Sequence, residues 1–142
     1  MNDSGAIPSV EILLNRLKAA AEPTRLRILV ICAQGELTVS ELTHILGQSQ
    51  PRVSRHLKLL CDAGLLNRFQ EGAWVFYRLA DRAGSSSYSL CQQIIELIPE
   101  NEPQIKRDMQ RLADVRRARH EVADAYFREN ASRWDQIRSM HV

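Results

Sequence analysis

Between residues 50 and 58 the chain carries Gln50, Arg52, Ser54, Arg55 and Lys58, whose donors and acceptors suit the groove and backbone of a nucleic-acid duplex. An arginine can pair bidentately with guanine and a glutamine with adenine, each worth roughly 1–3 kcal/mol of discrimination. On a helix turning about 100° per residue, Val53, Leu57, Leu60 and Cys61 fall on one face at i, i+4, i+7 and i+8. Arg52, Ser54, Arg55 and Lys58 then point the other way. Gln50, Arg52, Ser54 and Arg55 are therefore candidates for base-edge contact. Thr38, Ser40, Ser49, Lys58, Arg68 and Arg78 are candidates for phosphate contact, which positions a protein without reading sequence. The plainer reading of the arginines is a solvated helix face, and that of the hydroxyls is helix capping. His56 lies between the two faces, where a structural hydrogen bond is at least as good a reading as a DNA contact.

These residues need a rigid support, and the flanking pattern supplies one. Residues 10–21 read as a helix with Ile12, Leu13, Leu14 and Leu17 on its apolar face. Pro23 suits the first turn of a second helix, residues 24–33, which buries Leu26, Ile28, Leu29, Ile31 and Cys32 around much of its circumference. Gly35 ends it. Thr38 and Glu41 form a capping-box pattern at the start of a helix running to Leu46, and Gly47 closes that helix. Ser49 caps the next one, residues 50–63, which Gly64 stops. Residues 65–70 and 74–79 are β-type runs joined as a hairpin through Glu71-Gly72-Ala73. Gly84-Ser85-Ser86-Ser87 is a flexible joint before a helix over 88–98. From Pro103 a charge-rich helix carries Ile105, Met109, Leu112, Val115, Val122 and Tyr126 as one apolar seam, which needs a partner surface. The predicted class is mainly α with a small β-hairpin: a winged helix-turn-helix with additional N- and C-terminal dimerisation helices. Residues 1–82 would be the DNA-binding unit and residues 83–142 a helical dimerisation or linker segment.

Composition is consistent with this. The 142 residues carry a net charge of only +2, yet residues 25–78 hold seven basic side chains against four acidic ones. A DNA footprint is local and needs no strongly basic whole. Cys32, Cys61 and Cys91 are widely spaced with no CxxC pair, which excludes a disulfide framework or zinc ribbon and fits a reducing cytoplasm. No run approaches the roughly 20 apolar residues of a membrane span. No Ser/His/Asp set, paired-carboxylate site or phosphate loop is present, so an enzyme, a cofactor and a membrane partner are not expected. His120 and Asp124 stand one helical turn apart, as metal ligands could, but lack a second histidine and read as solvated face. Arg116-Arg117-Ala118-Arg119 could touch nucleic acid, but interleaved acids make it an ordinary helix surface.

Several consecutive motifs resemble the ArsR/SmtB family of bacterial repressors. Residues 21–29, AEPTRLRIL, are similar to its "(A/D)PTRLRIL" opening, and residues 35–42, GELTVSEL, fit the next segment. Residues 49–60, SQPRVSRHLKLL, resemble the recognition helix "SQxxVSxHLKxL". Residues 63–66, AGLL, and 72–79, GAWVFYRL, resemble the "AGLV" and "G(R)xxxYRL" wing. The resemblance implies a homodimeric winged-helix repressor that leaves its operator when a small effector, often a metal ion, binds. Two departures stand out. Metal sensors of the family carry "ELCVCDL", and here Thr38 and Ser40 replace the two thiolates, which removes that metal site because hydroxyls are poor ligands for thiophilic ions. The wing tip has Gln70, Glu71 and Ala73 where basic residues are common, implying weaker minor-groove contact. Sulfide- and oxidant-sensing relatives place their first cysteine at the position of Val30, not Cys32. Residues 125–135 and 138–142 also resemble the linker of longer members that continue into an S-adenosylmethionine-dependent methyltransferase domain.

The leading expectation is a homodimeric, sequence-specific regulator, most simply a repressor, acting on a double-stranded DNA operator and answering to an unknown small effector. The alternative is the N-terminal regulatory part of a longer methyltransferase. A third reading is a winged helix used only for protein contacts.

Overall fold

The computed structural model describes residues 9–80 and 86–140, with backbone only at 132 and 134–140. In chain order the elements are α1 (Val10–Ala20), α2 (Pro23–Cys32), β1 (Leu37–Thr38), α3 (Val39–Leu46), α4 (Gln50–Asp62), β2 (Leu66–Glu71), β3 (Trp74–Leu79), α5 (Ser86–Glu96) and α6 (Pro103–Met140). Helices and hairpin follow the expected order, and the fold is a winged helix-turn-helix. The segment 81–85, which holds the expected domain boundary and the first half of the Gly84-to-Ser87 joint, lies outside the described residues. Helix α5 begins at Ser86 and ends at Glu96, two residues earlier at each end than its apolar spacing suggests.

Helix α2 is the centre of the core. Ile28, Leu29, Val30, Ile31 and Cys32 are all buried in succession, which a surface helix cannot do. Ile45, Val53, Leu57, Leu60 and Leu65 close around it. Glu22 caps α2 by accepting a hydrogen bond from the Arg25 amide, at 2.8 Å. The capping box at α3 forms as its spacing predicts: Thr38 Oγ1 accepts from the Glu41 amide, and Glu41 accepts from the Thr38 amide. Gly47 then ends α3 with φ 68, a left-handed conformation that a side chain would strain, and lets the chain turn into α4.

The sheet has a third strand that the sequence pattern did not disclose. Leu37 and Thr38 pair antiparallel with Tyr77 and Phe76, giving the order β1-β3-β2. Two residues are too few for an alternation to be visible, and Thr38 serves as strand end and helix cap at once. Strands β2 and β3 pair from Leu66↔Leu79 to Glu71↔Trp74, and Gly72, φ 63, leads the two-residue turn.

Helix α6 does not present one continuous apolar seam. Leu112 is buried and Met109 and Val115 pack on the core, whereas Val122 and Tyr126 are 70% and 58% exposed. The first half of the seam therefore finds its partner within the chain, on α2 and α3. A buried ion pair fixes that half. Arg27 on α2 donates to both carboxylate oxygens of Asp108, at 2.8 and 2.9 Å, and to the Leu46 carbonyl at 3.2 Å. Gln104 adds a bond to Asp108 at 3.0 Å, and Asp108 is fully buried. Arg111 donates to the Ile45 carbonyl at 3.0 Å, so α6 also satisfies the end of α3.

Removing one partner of such a pair leaves a buried charge uncompensated, at a cost of about 3–5 kcal/mol. Arg27→Met is expected to lower unfolding stability by that order in urea titration, while Arg27→Met with Asp108→Leu recovers most of the loss.

Candidate nucleic-acid interface

Helix α4 presents two faces, as its spacing requires. Val53, Leu57 and Leu60 are fully buried, while Arg52, Arg55 and Lys58 are exposed and Ser54 is half-buried. Gln50 is exposed at the N-terminus and donates to Ser54 Oγ at 2.9 Å, one turn on, so the two polar side chains act as a unit. Pro51 occupies the first turn, where its missing N–H breaks no helical bond. Ser49 stands at the cap position with extended backbone, but its hydroxyl makes no capping hydrogen bond, contrary to the sequence expectation. Its side chain is exposed beside first-turn amides that carry no side-chain cap.

The expected phosphate residues divide by how firmly they are held. Ser40 is exposed on the first turn of α3. The Thr38 hydroxyl accepts from the Glu41 amide and still has its own proton to donate. Lys58 pairs with Asp62 at 3.0 Å, both largely exposed, so the pair is weak and exchangeable. Arg68 is exposed on β2, opposite Tyr77 of β3. Arg78 is more firmly seated: it pairs with Glu36 at 3.4 Å and lies 4.3 Å above the Phe69 ring, itself stacked on Phe76.

Two arginines counted in the basic stretch face inward. Arg27 is committed to Asp108, and Arg25 donates to the Ala19 carbonyl at 2.6 Å and meets His56 Nδ1 at 3.2 Å. Charge counting along a sequence cannot separate such internal arginines from a surface patch. His56 accordingly has the structural contact, which joins α4 to the start of α2. Burial pushes its pKa down; Glu22, 4.0 Å away, pulls it up, and Arg25, Arg52 and Arg55 push it down again. The net direction is downward, so His56 stays neutral near pH 7.

The Arg116–Arg119 run is also spoken for. Arg116 donates to the Gln34 carbonyl, Arg117 pairs with Asp114, and Arg119 binds the Glu41 carboxylate and, at 3.2 Å, the Glu36 carbonyl. Burial pushes the Cys32 thiol up to about 12 and Cys91 to about 11, and raises Cys61 as well, which leaves little thiolate for redox chemistry. Among the described residues no three His, Cys, Asp or Glu side chains gather as a metal site, and His120 and Asp124 are both exposed.

Comparison with known proteins agrees with this geometry. A sequence model for the arsR family of bacterial regulatory proteins matches residues 22–68, from the cap of α2 into β2. The arsenic resistance transcriptional regulator ArsR1 of Pseudomonas putida is 38% identical over 99 residues, spanning 69% of this chain and 75% of that protein. The chain belongs to the ArsR family. Among solved structures, reduced HlyU from Vibrio cholerae superposes with a TM-score of 0.56 at 32% identity, over 63% of this chain and 92% of that one. A homodimeric winged helix-turn-helix DNA-binding domain from Mycobacterium bovis gives 0.53 at 29% identity, over 61% and 81%. This ArsR-family chain is a DNA-binding transcriptional regulator, not an enzyme. The family match stops at residue 68, so the methyltransferase likeness of residues 125–142 rests on sequence alone.

The lowered pKa of His56 has a consequence for stability. Below its ordinary value of 6.5 the unfolded chain takes up a proton that the folded chain resists. Stability is therefore full above pH 6.5 and falls as pH drops toward the folded-state value. His56→Gln is expected to flatten this acid limb in thermal melts between pH 7 and 5.

Proposed function

We propose that this regulator is a repressor that binds an operator in double-stranded DNA as a homodimer, in the cytoplasm, and leaves it when a small effector binds. The observation that carries the DNA reading is the state of the arginines. From Arg16 to Arg119, every described arginine except Arg52, Arg55 and Arg68 is engaged in a hydrogen bond or ion pair within the chain. Arg52 and Arg55 are exposed on one face of α4 with Gln50 and Ser54 beside them. We assign Gln50, Arg52, Ser54 and Arg55 to base edges. Ser49, Ser40, Thr38, Lys58, Arg68 and Arg78 go to phosphates, with Arg78 the most restrained of the set.

The homodimer reading rests on α1, whose apolar face is left largely open by the described residues. Val10 is 72% exposed, and Ile12, Leu13, Leu14 and Leu17 are each at least 40% exposed. Leu97, just beyond α5, is 82% exposed. Apolar surface of this extent on a small protein marks an association face, and the related M. bovis domain is itself homodimeric. Two copies of α4 related by a two-fold axis would enter successive major grooves of a near-palindromic site. A thiolate metal effector is not proposed, because Thr38 and Ser40 occupy the positions where such sensors carry cysteine.

The test is a mobility-shift titration with a duplex selected from a random library. Arg52→Ala with Arg55→Ala is expected to weaken binding at least about thirtyfold, since each arginine contributes about 1–3 kcal/mol at a base edge. Wild-type affinity should fall steeply with salt through counterion release. Unchanged affinity in the double variant would favour a winged helix used for protein contacts.

A further inference from the structure

We propose that the groove between α3, β3 and α6 is a binding site for an uncharged, ring-bearing, largely apolar small molecule. The groove has a volume of about 740 Å³, inside the roughly 300–1,000 Å³ typical of small-molecule sites. Its walls are apolar: Trp74 and Phe76 from β3 face Val115, Ala118 and Val122 from α6. Trp74 is 65% exposed and Val122 70% exposed. An indole left this open offers a flat surface on which another ring can stack.

The charges at the rim argue for a neutral occupant. The Glu41 carboxylate accepts from the Thr38 amide and is paired with Arg119, and Asp114 is paired with Arg117. Each carboxylate thus has its own guanidinium, and neither an anion nor a cation would meet an uncompensated partner there. Two polar groups remain available. Ser40 and His44 both line the groove, are exposed, and make no side-chain hydrogen bond among the described residues. A hydroxyl and an imidazole can each donate or accept, so the ligand would carry a hydroxyl, carbonyl or amine at one edge of its ring system.

A second copy of the chain is a poorer occupant. None of the groove's walls belongs to α1 or α5, where the uncovered apolar face lies. The walls come instead from the first helix of the helix-turn-helix, the wing, and a helix clamped to the core at Asp108. A molecule bridging them would draw α6 and the wing together and change the wing's angle relative to α4. As the effector site this rests on the regulator reading above, but binding itself can be measured without DNA.

The probe is N-phenyl-1-naphthylamine, a neutral two-ring amine whose fluorescence rises in apolar surroundings and which accepts excitation energy from tryptophan. The full chain carrying Trp134→Phe keeps Trp74 as its single tryptophan. Titration is expected to saturate at one probe per chain with quenching of Trp74. Val122→Glu and Ala118→Phe, both at exposed positions, should each weaken binding at least tenfold without loss of helicity by circular dichroism, while Lys106→Ala, exposed on α6 outside the groove, leaves it unchanged. No saturable binding, wild-type affinity in both groove variants, or loss of binding in Lys106→Ala would each overturn the proposal. Because no DNA is present, none of these results bears on the arginines of α4, whose failure would show only in the mobility shift.

Discussion

The ion pair between Arg27 and Asp108 is the constraint on which the arrangement of the molecule depends. It is buried and bidentate, and it is held on one side by Gln104 and on the other by the Leu46 carbonyl. One guanidinium therefore ties together the central helix, the end of α3 and the start of α6. Buried pairs of this kind are costly to desolvate, and well-packed apolar residues could match their stability. What the pair adds is specificity. An apolar contact would let α6 slide or rotate on α2, whereas two parallel N–H···O bonds admit one register. With α6 fixed, Arg111 reaches the Ile45 carbonyl, Arg116 the Gln34 carbonyl and Arg119 the Glu41 carboxylate.

This clamp sorts the basic side chains into two populations. Arg25, Arg27, Arg111, Arg116 and Arg119 donate to carbonyls and carboxylates of the chain itself, and Arg27 and Arg119 are charge-paired as well. Arg52, Arg55 and Arg68 stay exposed, with Lys58 in a weak pair. Arg52, Arg55 and Lys58 thus put a basic face on α4 although the chain carries a net charge of only +2. Helix α4 is held in its turn: its buried stripe is seated on α2, and His56 meets Arg25 at its base.

Most of the fold was legible from local chemistry. The capping box at Thr38, the glycines at 47 and 72, and the apolar stripe of α4 each act within a few residues of themselves, so spacing reveals them. Strand β1 was not legible, because its two residues pair with partners about forty positions away. Nor was the clamp, since nothing local distinguishes Asp108 from the other acids of a charge-rich helix. The apolar seam of α6 was seen, but not that half of it is spent on the chain's own core. Within the candidate interface, the outward face of α4 could be read directly. The inward commitment of Arg25 and Arg27 could not, because it depends on elements distant in sequence. The groove beside Trp74 was hidden for the same reason, as its walls come from residues 38–44, 74–76 and 114–122.

The central claim is that the exposed face of α4, held on a core locked by Arg27 and Asp108, is the surface that meets DNA. Amide chemical-shift mapping of the isotope-labelled chain, titrated with its selected duplex, tests this most directly. The account predicts the largest shifts at residues 49–58, smaller ones at 38–40 and in the wing, and little change along the exposed part of α6. Shifts concentrated in residues 116–131, with α4 unmoved, would contradict it.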